Sequence, residues 1–292
     1  MKTKGFFTTK DHFNIAYQTN FSPDSDLTGP VIVFNYGLVC SNAHWKYQIP
    51  FFNDLGYHII LHDYRFHFDS SSSDNISDCH FAGMADDIRQ LMEHLKIDSA
   101  IMLGHSMGVN VTLEIAKSYP ELIEEMVLIS GTVLPPQDIM FDSNYVEIVE
   151  PYLKFGAKSF PEFFAKIWKA TPQNPILKEL LFRGGFNTKT APKDFIDIYV
   201  KKISELQPEI FFQLFDEMKR HNILSHLENI KTPALIIGGD HDQVIPNYLQ
   251  KILHDHLEKS ELYIVKDGSH VPQVDFPETI NERILHFIEK YN

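Results

Sequence analysis

The chain has 292 residues, of which 43% are apolar and 22% are charged, so it can bury a globular core without metals or disulfides. A formal net charge of -13 excludes nucleic-acid phosphates as expected partners, because that binding depends on lysine and arginine. Cys40 and Cys79 are too few for a disulfide framework, and no apolar run approaches the roughly 20 residues of a membrane helix.

The N-terminal part of the chain predicts half of an α/β domain. The first residues of the chain turn polar too soon for a signal peptide, which favours a cytoplasmic location. Residues 5–9 and 13–19 are expected to pair as an antiparallel hairpin at a sheet edge. Apolar runs of strand length follow at residues 31–35, 57–62, 100–103 and 126–129, with helical spacing at residues 81–95 and 109–118. This alternation favours an α/β fold with a mostly parallel, doubly wound sheet.

The pattern changes between residues 136 and 227. Strand-like runs stop there, and the segment contains eleven of the 23 phenylalanines. Helical segments are predicted at residues 160–170, 176–182, 191–203 and 208–219. Strands then return at residues 234–237 and 262–265, with helices at residues 248–257 and 278–290. We therefore predict a helical lid, residues 136–227, inserted into a core formed by residues 1–135 and 228–292.

The motif Gly-His-Ser-Met-Gly at residues 104–108 carries the sharpest chemical signal. It lies between the predicted strand at residues 100–103 and the predicted helix that begins at Val109. A nucleophile elbow needs this strand–turn–helix setting, with small residues two before and two after the serine. Ser106 is therefore the candidate nucleophile. A glycine-rich turn with an inert serine is the alternative, and His105 is expected to pack locally.

Ser106 requires a general base, and 15 histidines compete for that role. His270 follows the last predicted strand, where a side chain can reach the carboxyl edge of a parallel sheet. His254 and His256 would lie on different faces of a helix, which argues against a metal pair. For the acid that orients the base, Asp240 and Asp242 both follow the strand at residues 234–237.

Four segments resemble motifs of the α/β-hydrolase superfamily, in addition to residues 104–108. They are Asn-Tyr-Gly-Leu at residues 35–38, Asp-Tyr-Arg-Phe-His-Phe-Asp-Ser at residues 63–70, Gly-Asp-His-Asp-Gln-Val-Ile-Pro at residues 239–246 and Gly-Ser-His at residues 268–270. They resemble the family's oxyanion loop, its Asp-x-Arg-Gly-x-Gly-x-Ser segment, its acid loop and its terminal Gly-His. The order Ser, acid, His is also the family's order.

The resemblance implies a role for each matching residue. Counted from Gly239 to Pro246, the acid is Asp242, and the backbone N–H groups of Leu38 and Met107 would form the oxyanion hole. Three departures stand out. Tyr replaces His before Gly37, phenylalanines 66 and 68 replace glycines, and Ser269 separates Gly268 from the histidine.

The expected function is hydrolysis of a small or medium apolar carboxylic ester, lactone or thioester through an acyl-enzyme on Ser106, without a cofactor or a metal. A serine at the elbow disfavours dehalogenase and epoxide hydrolase chemistry, which uses aspartate. Carbon–carbon bond hydrolysis, for which Arg183 could bind a substrate carboxylate, and cofactor-free perhydrolysis are the enzymatic alternatives. A ligand-binding receptor with little turnover is the alternative from another class. The expected partner is a small apolar acyl substrate.

Overall fold

The computed structural model describes residues 1–38, 40–134, 145–175, 186 and 192–291. Its strands are β1 (Thr3–Thr8), β2 (Asn14–Thr19), β3 (Val31–Asn35), β4 (His58–His62), β5 (Ala100–His105), β6 (Ile123–Ile129), β7 (Ala234–Gly239) and β8 (Ser260–Val265). They form a sheet in the order β1-β2-β4-β3-β5-β6-β7-β8. β2 pairs antiparallel with β1 and β4, and all other pairs are parallel. The predicted edge hairpin and mostly parallel sheet are confirmed.

Helices connect the parallel strands. Those described are α1 (Gln48–Asp54), α2 (Phe81–His94), α3 (Met107–Ser118), α4 (Tyr145–Ser159), α5 (Pro161–Lys169), α6 (Lys193–Glu205), α7 (Pro208–Arg220), α8 (Leu224–Leu227), α9 (Asn247–His256), α10 (Pro272–Asp275) and α11 (Pro277–Tyr291). Short 3₁₀ turns occupy Asn42–Trp45, Ile76–Asp78, Pro120–Leu122 and Thr171–Gln173. Among the described residues, no helix has the length and apolar character that a membrane crossing needs.

The sheet has a separate apolar cluster on each face. Side chains alternate along each strand, so Val33 belongs to one cluster, whereas Ile32 and Phe34 belong to the other. Helices α2 and α3 cover the first face, and α1 and α11 cover the second. Because both faces are buried, the central strands are apolar on both sides, which explains their continuous apolar runs. This is the predicted doubly wound α/β architecture.

The sequence analysis missed four of the described helices: the four-residue helices α8 and α10, and the longer helices α1 and α4, both of which contain proline. α1 has Pro50 in its first turn and no side-chain cap, and α4 contains Pro151 within its span. A proline removes a backbone donor and usually marks a helix boundary, so the sequence pattern argues against a helix at both places. The predicted helix at residues 176–182 lies outside the described residues.

Among the described helices between residues 145 and 227, α6 packs on the side of the sheet where the parallel strands end, and α5 contacts α6. Phe195 and Val200 of α6 form a cluster with Val271 and Val274, which follow β8. The Trp168 indole N–H of α5 donates to the Ile203 carbonyl of α6 at 2.9 Å. This position is compatible with a lid. The division of the chain at residues 136 and 227 stays a prediction.

The turn between β5 and α3 is packed against the end of β3. A Cβ atom at Gly108 would lie 2.1 Å from the Asn35 carbonyl oxygen and 2.9 Å from that of Tyr36. Both contacts are with backbone atoms, which cannot rotate away as a flexible side chain can. By contrast, a Cβ at Gly156 of α4 would meet the Phe164 ring at an ordinary 3.5 Å.

We expect Gly108→Ala to lower the free energy of unfolding by at least about 2 kcal/mol, because β3 must shift to make room. Gly156→Ala is the matched control. It should raise the free energy of unfolding by about 0.5–1 kcal/mol, because alanine is the better helix former. Denaturant titration of both variants measures the difference. Equal effects would contradict the close approach at Gly108.

Glu125 of β6 is a buried carboxyl group. It is 3% exposed, and its Oε2 atom has no hydrogen-bond partner among the described residues. Burial, with a smaller contribution from the Glu124 carboxylate, raises the pKa of Glu125 to about 7. Because this pKa lies above that of the unfolded chain, the folded protein binds the extra proton. The free energy of unfolding therefore falls as the pH rises towards 7, where the folded protein also loses this proton.

We expect Glu125→Gln to abolish this pH-dependent loss, because glutamine does not ionise. The variant should gain on the order of 1–3 kcal/mol over the wild type at pH 8 and much less at pH 5. Thermal unfolding at the two pH values tests this. Glu121→Gln, at an exposed position nearby, is the control and should change stability little at either pH. An equal gain for Glu125→Gln at both pH values would contradict the argument.

Candidate active site

Ser106 occupies a strained turn between β5 and α3. Its backbone has φ 54° and ψ -121°, a combination that a residue with a side chain rarely adopts. Its N–H donates to the Ile129 carbonyl of β6 at 2.9 Å, and its own carbonyl accepts from the Val109 N–H. The turn therefore has the geometry of a nucleophile elbow, as the motif predicts. Ser106 itself is only 9% exposed.

His270 lies within hydrogen-bonding distance of both Ser106 and Asp242. The distance from His270 Nε2 to Ser106 Oγ is 3.1 Å. His270 Nδ1 lies 2.9 Å from Asp242 Oδ2 and 3.2 Å from Oδ1. If Nδ1 carries the proton, Nε2 is free to accept the serine hydroxyl proton. The structure thus brings together the three side chains from residues 106, 242 and 270.

The surroundings of the two candidate carboxylates differ. The Asp242 side chain is fully buried, and its Oδ1 accepts the backbone N–H groups of Val244 and Ile245 at 2.8 and 2.9 Å. Asp240 is exposed, and its backbone N–H donates to the Val265 carbonyl. Asp242 is therefore the carboxylate that the loop holds against His270.

Asp275 also supports the histidine loop, a role that the sequence analysis missed. Its Oδ2 accepts the Ser269 backbone N–H at 2.7 Å and the Ser269 hydroxyl at 2.6 Å. Ser269 is the residue inserted between Gly268 and His270. That departure from the family motif, with a carboxylate six residues downstream, was the signal that could have identified the contact.

His105 was expected to pack locally, but in the structure it contacts a residue that is distant in sequence. Its ring is fully buried, and Nε2 lies 2.9 Å from the His270 carbonyl oxygen, to which Nε2–H donates. Burial, with a smaller electrostatic contribution from His270, lowers the pKa of His105 well below its usual value. A neutral His105 is consistent with this single donated bond. Because the two residues are 165 positions apart, the local sequence could not indicate the contact.

Of the two residues expected to form an oxyanion hole, Met107 follows Ser106 directly, and Leu38 follows a glycine that is packed against Ser106. Met107 is the first residue of α3, where a helix leaves its N–H groups without intrahelical acceptors. Leu38 follows Gly37, and a Cβ at Gly37 would lie 2.9 Å from the Ser106 Cβ. The loop after β3 therefore runs directly against the serine. The role of these N–H groups stays a prediction.

The two phenylalanines that replace family glycines retain a left-handed backbone. Phe66 has φ 65° and Phe68 has φ 44°. Burial offsets this strain at Phe66, whose ring packs 5.7 Å from that of Phe13. Phe68 lies beside Tyr36, and the Lys202 amino group of α6 sits 4.6 Å from its ring centre. Phe68 thus links the loop after β4 to the helical region.

Neutral aromatic side chains lie beside this site, next to His105. The buried His44 ring lies 5.0 Å from Phe195 and 5.4 Å from Tyr199. Desolvation by burial lowers the pKa of His44 to about 3, so it is uncharged. Within the described part of the chain, no three His, Cys, Asp or Glu side chains are grouped as metal ligands. Arg183, considered as a carboxylate ligand, lies outside the described residues.

The sequence is similar to those of known hydrolases. The sequence profile of the α/β hydrolase fold matches residues 30–277. The uncharacterised hydrolase YugF of Bacillus subtilis (strain 168) is 27% identical over 285 residues, covering 96% of both chains. The bifunctional esterase/perhydrolase DCH of Acinetobacter calcoaceticus is 27% identical over 310 residues, covering 97% of this chain and 99% of DCH. The chain spans 55% of human ABHD8, another match.

Solved structures share the fold at lower identity. The esterase EaEST from Exiguobacterium antarcticum superposes with a TM-score of 0.76 at 18% identity, covering 98% of this chain and 100% of that one. At this identity, the likeness concerns the fold alone. The profile, in contrast, covers most of the sequence, including the segments around the serine and the aspartate. The chain therefore belongs to the α/β hydrolase fold family.

Proposed function

We propose that this protein hydrolyses small or medium apolar carboxylic esters, including lactones and thioesters, through an acyl-enzyme on Ser106. The observation that carries the proposal is the hydrogen-bonded series from Ser106 to His270 to Asp242, with distances of 3.1 and 2.9 Å. A serine hydroxyl is a weak nucleophile until a base accepts its proton, and this arrangement supplies the base.

Each step of the reaction uses a group at this site. His270 Nε2 accepts the hydroxyl proton while Ser106 Oγ bonds to the substrate carbonyl carbon. The negative charge on the carbonyl oxygen is stabilised by the N–H groups of Leu38 and Met107. The tetrahedral intermediate collapses, and His270 gives its proton to the departing alcohol. Water, deprotonated by the same nitrogen, then releases the acid and restores Ser106. Asp242 stabilises the imidazolium form of His270.

The surroundings of Ser106 favour an apolar acyl group. His44 is neutral, and the rings of Phe195 and Tyr199 contact it. A neutral aromatic surface contributes apolar burial to a substrate and offers no charge to bind a carboxylate. Among the residues that the structure describes, this lining favours ester hydrolysis over carbon–carbon bond hydrolysis of acidic substrates, while Arg183 lies outside them.

Perhydrolysis is the second candidate activity, favoured by one comparison. DCH, which aligns over 97% of this chain, is named a bifunctional esterase/perhydrolase. In that reaction hydrogen peroxide replaces water as the acyl acceptor, so the same acyl-enzyme yields a peracid. The two activities share every residue proposed above, and they are separated by adding peroxide to the ester assay and measuring peracid.

The first test is Ser106→Ala, which should lower kcat for a short-chain p-nitrophenyl ester by about 10⁶ and abolish fluorophosphonate labelling. Ser130→Ala is the control, because Ser130 is a buried serine directly after the neighbouring β6 whose hydroxyl has no hydrogen-bond partner among the described residues. It should retain activity and labelling. Labelling of the wild type with negligible turnover would instead favour the ligand-binding receptor.

The second test compares Asp242→Asn with Asp240→Asn. An asparagine at 242 can present its NH₂ group to His270 Nδ1, which then accepts, so Nε2 carries the proton and cannot deprotonate Ser106. We expect kcat to fall by about 10⁴ with KM little changed. Asp240→Asn, at an exposed position, should remain near wild type. The reverse order would contradict the assignment of Asp242.

A further inference from the structure

Helices α4 and α5 form a hairpin whose outer face is apolar and exposed. The exposed fractions are 75% for Tyr152, 67% for Phe155, 62% for Phe160 and 66% for Phe163. Tyr152 and Phe155 are three residues apart on α4, and Phe163 and Ile167 are four apart on α5, so each pair shares a helix face. Together these rings leave on the order of 500 Å² of aromatic surface in water, a patch size that marks an interaction site.

The opposite face of the hairpin is fixed to the rest of the protein. The Phe164 ring packs 6.2 Å from that of Phe212 on α7. The Lys154 ammonium group pairs with Asp216 of α7 at 2.5 Å, and the Trp168 indole donates to α6. The hairpin is therefore held by its inner face, and the aromatic side chains above are not the ones that dock it onto α6 and α7.

The charge of the hairpin is opposite to that of the whole chain. Helices α4 and α5 together contain four lysines and three glutamates, whereas the net charge of the chain is -13. Of these glutamates, Glu150 is buried and paired with Lys154 and Lys219, so it does not contribute to the exposed face. Lys158, Lys166 and Lys169 have exposed side chains close in sequence to the exposed rings. A basic aromatic surface on an acidic protein fits an anionic partner. A second copy of the same hairpin would bring lysine against lysine and is disfavoured.

We propose that the α4–α5 hairpin docks this protein on an anionic lipid surface. Aromatic rings enter the boundary between headgroups and acyl chains, while the lysine stems extend their ammonium groups toward lipid phosphates. The negative surface potential of such a membrane attracts the basic face and repels the acidic remainder, which orients the protein. The hairpin contacts α6, and α6 packs beside the loop that carries His270. Docking thus places the candidate site near a source of apolar acyl groups.

The experiment is flotation of the full chain with vesicles of phosphatidylcholine alone or with 30% phosphatidylglycerol. We expect binding to the anionic vesicles that weakens as salt is raised, and little binding to the neutral ones. The double variant Phe155→Ser/Phe163→Ser should bind at least about tenfold more weakly. Lys166→Glu should weaken binding by about tenfold or more at low salt.

Phe6→Ser is the matched control, because Phe6 is 62% exposed on the edge strand β1 and is not part of the hairpin. It should bind like the wild type, and circular dichroism should show every variant folded. Ser106→Ala should also bind normally, so docking and hydrolysis can fail independently. The proposal is overturned if the anionic vesicles bind no better than the neutral ones or if Phe6→Ser weakens binding as much as the double variant. A wild-type dimer in light scattering that Phe155→Ser/Phe163→Ser dissociates would instead assign the face to a second copy.

Discussion

The candidate site depends on the strained backbone of Ser106, which three parallel strands hold in place. A φ of 54° at a residue with a side chain costs free energy, so the surrounding contacts must over-determine it. The serine N–H is bonded to the end of β6, and Gly108 is pressed against the Asn35 carbonyl at the end of β3. The turn cannot relax without moving both neighbours of β5. Burial of the central sheet thus stabilises a conformation that points Oγ toward His270.

The position of His270 is fixed by contacts with other segments of the chain, some to its ring and some to its backbone. Asp242 accepts a hydrogen bond from His270 Nδ1–H. Two backbone N–H groups donate to the same carboxylate and offset the cost of burying it. His105 binds the His270 carbonyl, and Asp275 fixes the preceding residue. The loops after β7 and β8 also touch, because a Cβ at Gly239 would lie 2.3 Å from the Gly268 carbonyl. Both glycines of those two motifs therefore lie at this close approach.

The sequence could predict features that depend on neighbouring residues. Short apolar runs located the strands. The resemblance of residues 239–246 to the family's acid loop selected the aspartate that the structure places against His270. Contacts between distant segments could not be predicted in this way. The hydrogen bond from His105 to the His270 carbonyl depends on how β5 and the loop after β8 meet. Helix α4 forms despite Pro151 because tertiary packing outweighs local propensity. The left-handed backbone at Phe66 is stabilised by burial of its ring, which no local rule anticipates.

The phenylalanine-rich segment shows why composition alone cannot assign a surface. Its eleven phenylalanines are compatible with rings around an apolar pocket and equally with rings that pack the helices onto one another. In the structure, some of the described phenylalanine rings are buried and others are exposed to solvent. Phe195 and Phe186 are buried beside the loop of His270, whereas Phe155 and Phe163 are about two-thirds exposed on the far side of the hairpin. Helical periodicity makes this division possible, since one short segment can present an inner face to α6 and α7 and an outer face to a different environment. Phenylalanine therefore contributes both to the walls near Ser106 and to a separate exposed surface. The partner of that surface is identified by binding experiments, because enzyme turnover does not report on it.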